Sequence, residues 1–312
     1  MVNILRVFVL VAISMFVVSV IPMAADSSSA EAQDCGGGVT WELSGDTLIF
    51  KKTGPGDGRM NDYVTKSPWA DKYGYKHVLI GDGVTHIGSN AFVDTIVLET
   101  IDSESKSNAL PNTVKSIGAR AFHNCKSLQN FEIPDSVKSI GMYAFAYCNS
   151  LTSVTIPKSI TVIEDGVFYE CRGITNVELP DTLISIGVAG FGYCTTLPQI
   201  VLPESLKVIE KSAFSGCYDM GSITFNKNLK FVDHKAFYLY NFYDKNGNLL
   251  DPTAANLAGK MFTGHPKEMR EATPSIIDDG GDLQSDSPLY VCIAGITALA
   301  AVLMLAVVIR RP

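Results

Sequence analysis

From residue 114 to residue 239 the apolar positions of the chain fall on one grid. Phe122, Phe145, Phe168, Phe191, Phe214 and Phe237 are each 23 residues apart. Cys125, Cys148, Cys171, Cys194 and Cys217 keep the same interval, as do Pro134, Pro157, Pro180 and Pro203. Ile117, Ile140, Ile163, Ile186, Ile209 and Val232 form a fourth ladder. A fixed period in the twenties is the mark of a solenoid, in which each repeat is one coil that buries its apolar face only against its neighbours.

Within one coil, Leu151, Val154 and Ile156 alternate as a strand with one buried face does. Pro157 ends that strand, because it has no N–H for a ladder and presets a turn. Ile160 and Ile163 make a second short extended side, and Val167 to Cys171 is expected to turn the corner in about one helical turn. Stacked coils then place like strands side by side in parallel, roughly 4.8 Å apart.

Before the regular stack, Val39 to Leu43 and Leu48 to Phe50 flank Ser-Gly-Asp and read as a β-hairpin. Trp41, Leu43 and Phe50 are its expected cover for the first coil, with Trp69 packed on the same end. The stack begins degenerately at Val78 to Ile80, Val84, Ile87 and Phe92. The next Phe comes 30 residues later, and the extra residues are placed in a loop at Glu99 to Ala109. Past the last coil, Asn246-Gly247 between apolar residues is a strong hairpin turn. Asp244, Asn246 and Asn248 begin like a calcium loop, but Leu249 stands where glycine is required and Ala255 where glutamate is. The unit reads instead as a C-terminal cap in which Leu257, Met261 and Phe262 pack on the last coil.

Charge and hydropathy add the two ends. Arg6 precedes an apolar run to Ile21, and small residues near Ala24 and Ala25 give the form of a secretory signal peptide over 1–25, with cleavage at Ala32 or an uncleaved signal anchor as the alternatives. Leu289 to Ile309 is 21 residues without a charge, about 31 Å as a helix and close to a bilayer's hydrocarbon thickness. Arg310 and Arg311 follow it, so the positive-inside rule puts the C-terminus in the cytoplasm and the body outside the plasma membrane. Without Arg6, Arg310 and Arg311, the 25 basic residues fall to 22 against 32 acidic ones. An acidic body is a poor match for nucleic-acid phosphate, so no nucleic-acid partner is expected. The domain plan is thus a signal peptide (1–25), an N-terminal spacer and β-hairpin cap (26–75), the solenoid (76–240) and a C-terminal cap (241–266). An acidic stalk (267–288), a transmembrane helix (289–309) and a cytoplasmic tail (310–312) complete it.

The phrase Pro134-Asp-Ser-Val-Lys-Ser-Ile140-Gly-Met-Tyr-Ala144-Phe145-Ala-Tyr-Cys148-Asn-Ser-Leu151-Thr-Ser-Val154-Thr-Ile156-Pro157 resembles the BspA-like, or treponemal-type, leucine-rich repeat. The resemblance covers about residues 76–238, and Gly38 to Leu48 is similar to the segment that often precedes such repeats. It implies an α/β leucine-rich-repeat solenoid with parallel strands at a 23-residue period, short helical turns and small β caps. It also implies a surface role in adhesion or recognition in microbes. The chain departs from the repeat at Glu164, Glu210 and Asp233, where glycine is preferred, and at Asn226, where proline is.

Little in the sequence suggests covalent chemistry. The five periodic cysteines read as a ladder of buried thiols, with pairing of some neighbours or metal binding as alternatives. No CxxC-like cluster supports a metal site and no cofactor is expected. His77, His86, His123, His234 and His265 fall on different coils, and no nucleophile elbow is present. The surface columns are more informative. Asn130 and Glu132, Ser153 and Thr155, Asn176 and Glu178, Gln199 and Val201, and Ser222 and Thr224 face out between buried strand positions. They make a polar face, mostly uncharged, fit for hydrogen bonding to protein or glycan. Lys115, Lys138, Lys207 and Lys230 recur on the other extended side, and Tyr147 and Tyr193 lie two coils apart at one corner. The reading is a single-pass surface protein that binds an extracellular protein or glycan without catalysis. A structural envelope coat or spacer, and a surface hydrolase, are the rival readings.

Overall fold

The computed structural model describes residues 32–72 and 74–272. The expected signal peptide, most of the expected acidic stalk, and the expected transmembrane helix and cytoplasmic tail lie outside the described residues. Among the described residues no helix is long and apolar enough to cross a membrane.

The residues on the grid do lie atop one another. Phe92, Phe122, Phe145, Phe168, Phe191, Phe214 and Phe237 form one column, with ring centroids 5.1–5.7 Å apart and successive planes within 12°. All are essentially without solvent exposure. Around them run the buried columns of Ile117 to Val232 and Leu128 to Met220. One contiguous core therefore threads the whole stack, the arrangement expected when no single coil can bury its own apolar face.

Two flat walls enclose this core. The first carries Ser153–Thr155 paired in parallel with Asn176–Glu178, and Gln199–Val201 with Ser222–Thr224. The second carries His86–Ile87, Ser116–Ile117 and Ser139–Ile140, then Val162–Ile163, Ser185–Ile186, Val208–Ile209 and Phe231–Val232, again all parallel. In every regular coil the registers align residues 23 apart, as the sequence grid requires.

The corner between the walls differs from the expected helical turn. It is a third ladder. Phe145 N–H donates to Val167 O (3.0 Å), Tyr147 N–H to Tyr169 O (2.8 Å) and Tyr143 N–H to Asp165 O (2.9 Å), and the same three bonds recur from coil to coil. A helix would direct these N–H groups back along its own axis. They point to the next coil instead because each corner holds two left-handed residues. Asn90, Arg120, Tyr143, Gly166, Ala189 and Ser212 form one such column, with φ between 53° and 62°. Asp94, Asn124, Tyr147, Glu170, Tyr193 and Gly216 form the other, with φ from 56° to 75°. Among the described residues the one α-helix is the four-residue Ala254–Leu257, in the C-terminal cap.

The thiols line the same corner. Cys125, Cys148, Cys171, Cys194 and Cys217 are buried and free, and each Sγ donates to the carbonyl of a Phe on the preceding coil at 3.0–3.2 Å. Cys35 is also buried and free.

The N-terminal hairpin is present, Val39–Ser44 against Thr47–Lys52. It is more than a cover, because Thr47–Lys52 pairs in parallel with His77–Ile80 and so is the first rung of the stack. Trp41 and Phe50 are buried beneath it and Leu43 packs partly against the core. Trp69 is wholly buried, and its Nε1 donates to Ala91 O at 2.8 Å. The segment expected to be a loop from Glu99 opens as strand Thr100–Ser103, parallel to His77–Ile80, with Ile101 in the core. Alternation at Thr-Ile-Asp-Ser carried that signal. Only the residues after Ser103 leave the sheet, and they return at Ala109, which bridges Glu132.

At the other end, Phe242–Tyr243 and Leu249–Leu250 form the expected hairpin around Asn246-Gly247. Asp244 accepts the N–H groups of Asn246 and Asn248, both at 2.8 Å, so it caps the turn as an Asx side chain does. Met261–Thr263 pairs antiparallel with Ser222–Thr224, and Met269–Ala272 extends that sheet. The cap thus runs to Ala272, into the segment expected to begin the stalk. Leu257 and Phe262 are buried as anticipated, whereas Met261 is exposed because its side chain falls on the outer face of the strand.

Two outcomes follow from this packing. Phe168→Ala removes a ring packed between Phe145 and Phe191 and lowers stability by about 3–5 kcal/mol, measured as a drop in urea midpoint. Thr161→Ala, exposed on the same coil, changes it by less than about 0.5 kcal/mol. The second concerns the clasp between the N-terminal segment and the first coils. Asp62 Oδ1 accepts Ser89 N–H (2.7 Å) and faces His86 Nε2 (3.3 Å), while His86 Nδ1 meets Ser116 Oγ (2.7 Å). Partial burial works against the Asp62 carboxylate, but the hydrogen bonds from Ser89 and His86 prevail and hold its pKa at about 2. A depressed folded-state pKa adds stability above the unfolded value, about 3.9, that is lost as pH falls. The difference in urea midpoint between the wild type and Asp62→Asn, present at pH 6, therefore closes between about pH 4 and pH 2. A difference that does not change with pH removes this role for the clasp.

Candidate functional site

The outward columns are placed as their alternation requires. Asn130, Glu132, Thr155, Asn176, Glu178, Gln199 and Val201 are exposed, and Ser153 is half-buried. Ser222 and Thr224 are also half-buried, because the cap strand Met261–Thr263 runs beside them. They mark the end of the face.

The face is not one continuous sheet. Thr175 N–H donates to Thr152 O (2.8 Å), and Gly221 N–H to Pro198 O (2.7 Å). The equivalent bond between those two, from residue 198 to Thr175, has no donor because Pro198 lacks an N–H. The wall therefore parts between Asn176–Glu178 and Gln199–Val201. A second parting lies one coil step earlier than the first pair. Asn130 Oδ1 accepts both Thr152 N–H (2.8 Å) and Ser153 N–H (3.1 Å), so a side chain stands in for the missing rung. Phe131 occupies the column held elsewhere by Val154, Val177, Ile200 and Ile223. Its ring lies 6.2 Å from Phe122 and 5.7 Å from Phe145. The second wall also divides at this step, between Ser139–Ile140 and Val162–Ile163. We attribute the opening to the extra bulk of Phe131, since the corner ladder runs through the same step intact.

Two shallow grooves result on the first wall. One, of about 530 Å³, is lined by Asn108, Asn130, Phe131, Glu132, Ile133, Ser153 and Thr155. The other, of about 490 Å³, runs over Glu132, Thr155, Glu178 and Lys158, with Pro134, Pro157 and Pro180 at its base. Three of the five outward pairs expected from sequence thus supply one neighbourhood, Asn130 to Glu178, while Gln199, Val201, Ser222 and Thr224 lie beyond the Pro198 parting. Thr155 Oγ1 donates to Glu178 Oε2 (3.1 Å) and Asn176 Nδ2 to Ser153 Oγ (3.2 Å). Lys106, from the excursion after Ser103, pairs with Glu132 and brings that excursion to the groove's edge.

The remaining candidate chemistry disperses. His77 bonds Thr100 (2.9 Å) and His86 is held in the N-terminal clasp. Burial pushes the thiol of Cys171 up to about 12 and that of Cys148 well above its usual value, so neither is poised as a nucleophile. Among the described residues no group of His, Cys, Asp or Glu is arranged to hold a metal ion. Lys115 and Lys138 bond carbonyls of their own coils, Asn112 O and Asp135 O.

Tyr147 and Tyr193 share one corner, as their spacing requires. Tyr169, from the adjoining position of the intervening coil, stands between them, 5.6 Å from Tyr147 and 5.8 Å from Tyr193. It escaped the 23-residue ladders because it is out of phase by one residue. His123 extends the column, 5.3 Å from Tyr147. Burial, and next the charge of Arg120, lower the pKa of its imidazole.

No curated protein matches this chain in sequence. A leucine rich cell surface protein from Faecalibacterium prausnitzii, known as a crystal structure, is 29% identical over 72% of this chain and 61% of its own, with a TM-score of 0.51. A leucine-rich repeat protein from Bacteroides ovatus is 25% identical over 62% of this chain and 53% of its own, with a TM-score of 0.46. The chain thus spans less than two thirds of the length of either. Residues 115–243 match the family model of the BspA type leucine rich repeat region, in six copies. With their 23-residue registers and unbroken Phe column, residues 115–243 are a BspA type leucine-rich-repeat region.

Proposed function

We propose that the chain is a cell-surface binding protein that recognises an extracellular protein or glycan without catalysis, through the grooved first wall between Asn130 and Glu178. The observation that carries this is the convergence of exposed hydrogen-bonding side chains, from three successive coils and the excursion after Ser103, on grooves cut into a rigid surface. A rigid wall loses little conformational freedom when it binds, so modest polar contacts suffice for recognition. The cell-surface relative from Faecalibacterium prausnitzii supports the setting. So do the leader-like run at residues 1–25 and the apolar segment before Arg310 and Arg311, which together favour one membrane anchor with the repeats outside.

The test uses the full chain on the surface of an expressing cell. An antibody to the repeat region labels unpermeabilised cells. Binding to an array of extracellular-matrix proteins and glycans yields at least one ligand. Thr155→Lys with Glu178→Lys, which fills and recharges the groove, weakens that ligand about tenfold or more. Ser185→Lys, on the opposite wall, leaves it unchanged. Labelling only after permeabilisation, or equal binding by the groove variant, overturns the proposal.

A further inference from the structure

The corner bearing the third ladder presents a surface unlike either wall. Tyr147, Tyr169 and Tyr193 rise along it in steps of 5.6 and 5.8 Å, with successive rings at 83° and 80° to one another. The neighbouring tyrosines are seated on backbone. A Cβ at Gly166 would stand 2.2 Å from Tyr143 Cε1, and one at Gly216 would stand 2.6 Å from Tyr193 Cδ1, so those rings lie directly on glycine. All four tyrosines are half-buried. They are held by their neighbours before any ligand arrives.

An open concavity of about 440 Å³ lies among Arg120, His123, Tyr143, Tyr147, Tyr169 and Ala189. Its charge is uncommitted. Arg172 is paired with Glu170, Nη2 to Oε2 at 2.6 Å. Arg120 is exposed and, among the described residues, enters no ion pair. His123 Nδ1 is buried with no hydrogen-bond partner.

We propose that this corner binds a glycan bearing a carboxylate sugar, with sugar rings laid against the tyrosines and the carboxylate on Arg120. The proposal rests on reading the chain as a surface binder, but it uses a different face from the grooved wall. Three features favour an acidic glycan. The step between successive tyrosines is close to the advance of one sugar unit along an extended chain. Flat rings with hydroxyl tips offer apolar area and hydrogen bonds together, as amphipathic sugar faces require. A free guanidinium fork matches a planar carboxylate and pairs with it bidentately. A protein partner would call for a closed apolar pocket to receive an anchor side chain. This concavity is open, and Ala189 is its one aliphatic lining residue.

The experiment titrates the full chain with sialyllactose, with a galacturonic acid trisaccharide and with lactose, read by saturation-transfer NMR. Arg120 and Tyr147 both hold left-handed backbone, which asparagine tolerates, so Arg120→Asn and Tyr147→Asn are the chosen variants. Tyr169→Ala is the third, and unchanged thermal melting confirms that each folds. At least one acidic sugar binds tenfold or more tightly than lactose. Arg120→Asn abolishes that preference, whereas Tyr147→Asn and Tyr169→Ala weaken acidic and neutral sugars alike. Thr155→Lys with Glu178→Lys leaves all of these values unchanged, which separates this site from the grooved wall. Failure of both acidic sugars to bind, equal binding of lactose, or wild-type affinity in the folded corner variants overturns the proposal. So does loss of a protein ligand, with sugar binding unaffected, in the tyrosine variants.

Discussion

Coil-on-coil stacking of phenylalanine is the interaction on which the structure depends. A 23-residue coil is too small to close around its own apolar residues. Each buries them only by laying its Phe on the Phe before it and offering the same face to the next. The hairpin cap and the C-terminal sheet finish this process at each end. Trp69 packs edge-on to Phe50 at 4.8 Å, and Phe242 does so with Phe237 at 5.5 Å. Tilted aromatic contacts thus close both ends of a parallel-stacked column.

Given that column, the surface follows by default. Alternate residues of each short strand must face out, and identical registers place them in rows. What makes a site of such rows is irregularity. Phe131 in a column of valine and isoleucine, Pro198 in a donor position and the excursion between Ser103 and Ala109 interrupt the rows and turn a flat wall into a grooved one. The corner differs because its backbone, with two left-handed residues per coil, turns tyrosine rings outward in a fixed order.

The repeat, its buried columns, both caps and the outward residues were legible in the sequence because each follows from a period. The corner was not, although its signal was present. Asn90, Asp94, Asn124, Gly166 and Gly216 occupy left-handed positions that favour such residues. The pattern is masked because Arg120, Tyr143, Tyr147, Glu170 and Tyr193 hold the same backbone without the residue preference, constrained by three hydrogen bonds per coil step. The strand at Thr100–Ser103 was hidden by the length of the insertion that contains it. The partings of the wall were hidden for the opposite reason. Pro198 and Phe131 fit the periodic phrase in hydropathy, and only donor count and volume distinguish them.

The missing rung at Pro198 has a mechanical meaning. A ladder of parallel hydrogen bonds shares shear among all its rungs, so a step that lacks one concentrates strain there. If opposite ends of the stack are pulled apart, the first wall parts at Pro198, but the step between Phe131 and Val154, open on both walls, is the first to slide. The blocks on either side keep their own ladders, so extension proceeds in stages.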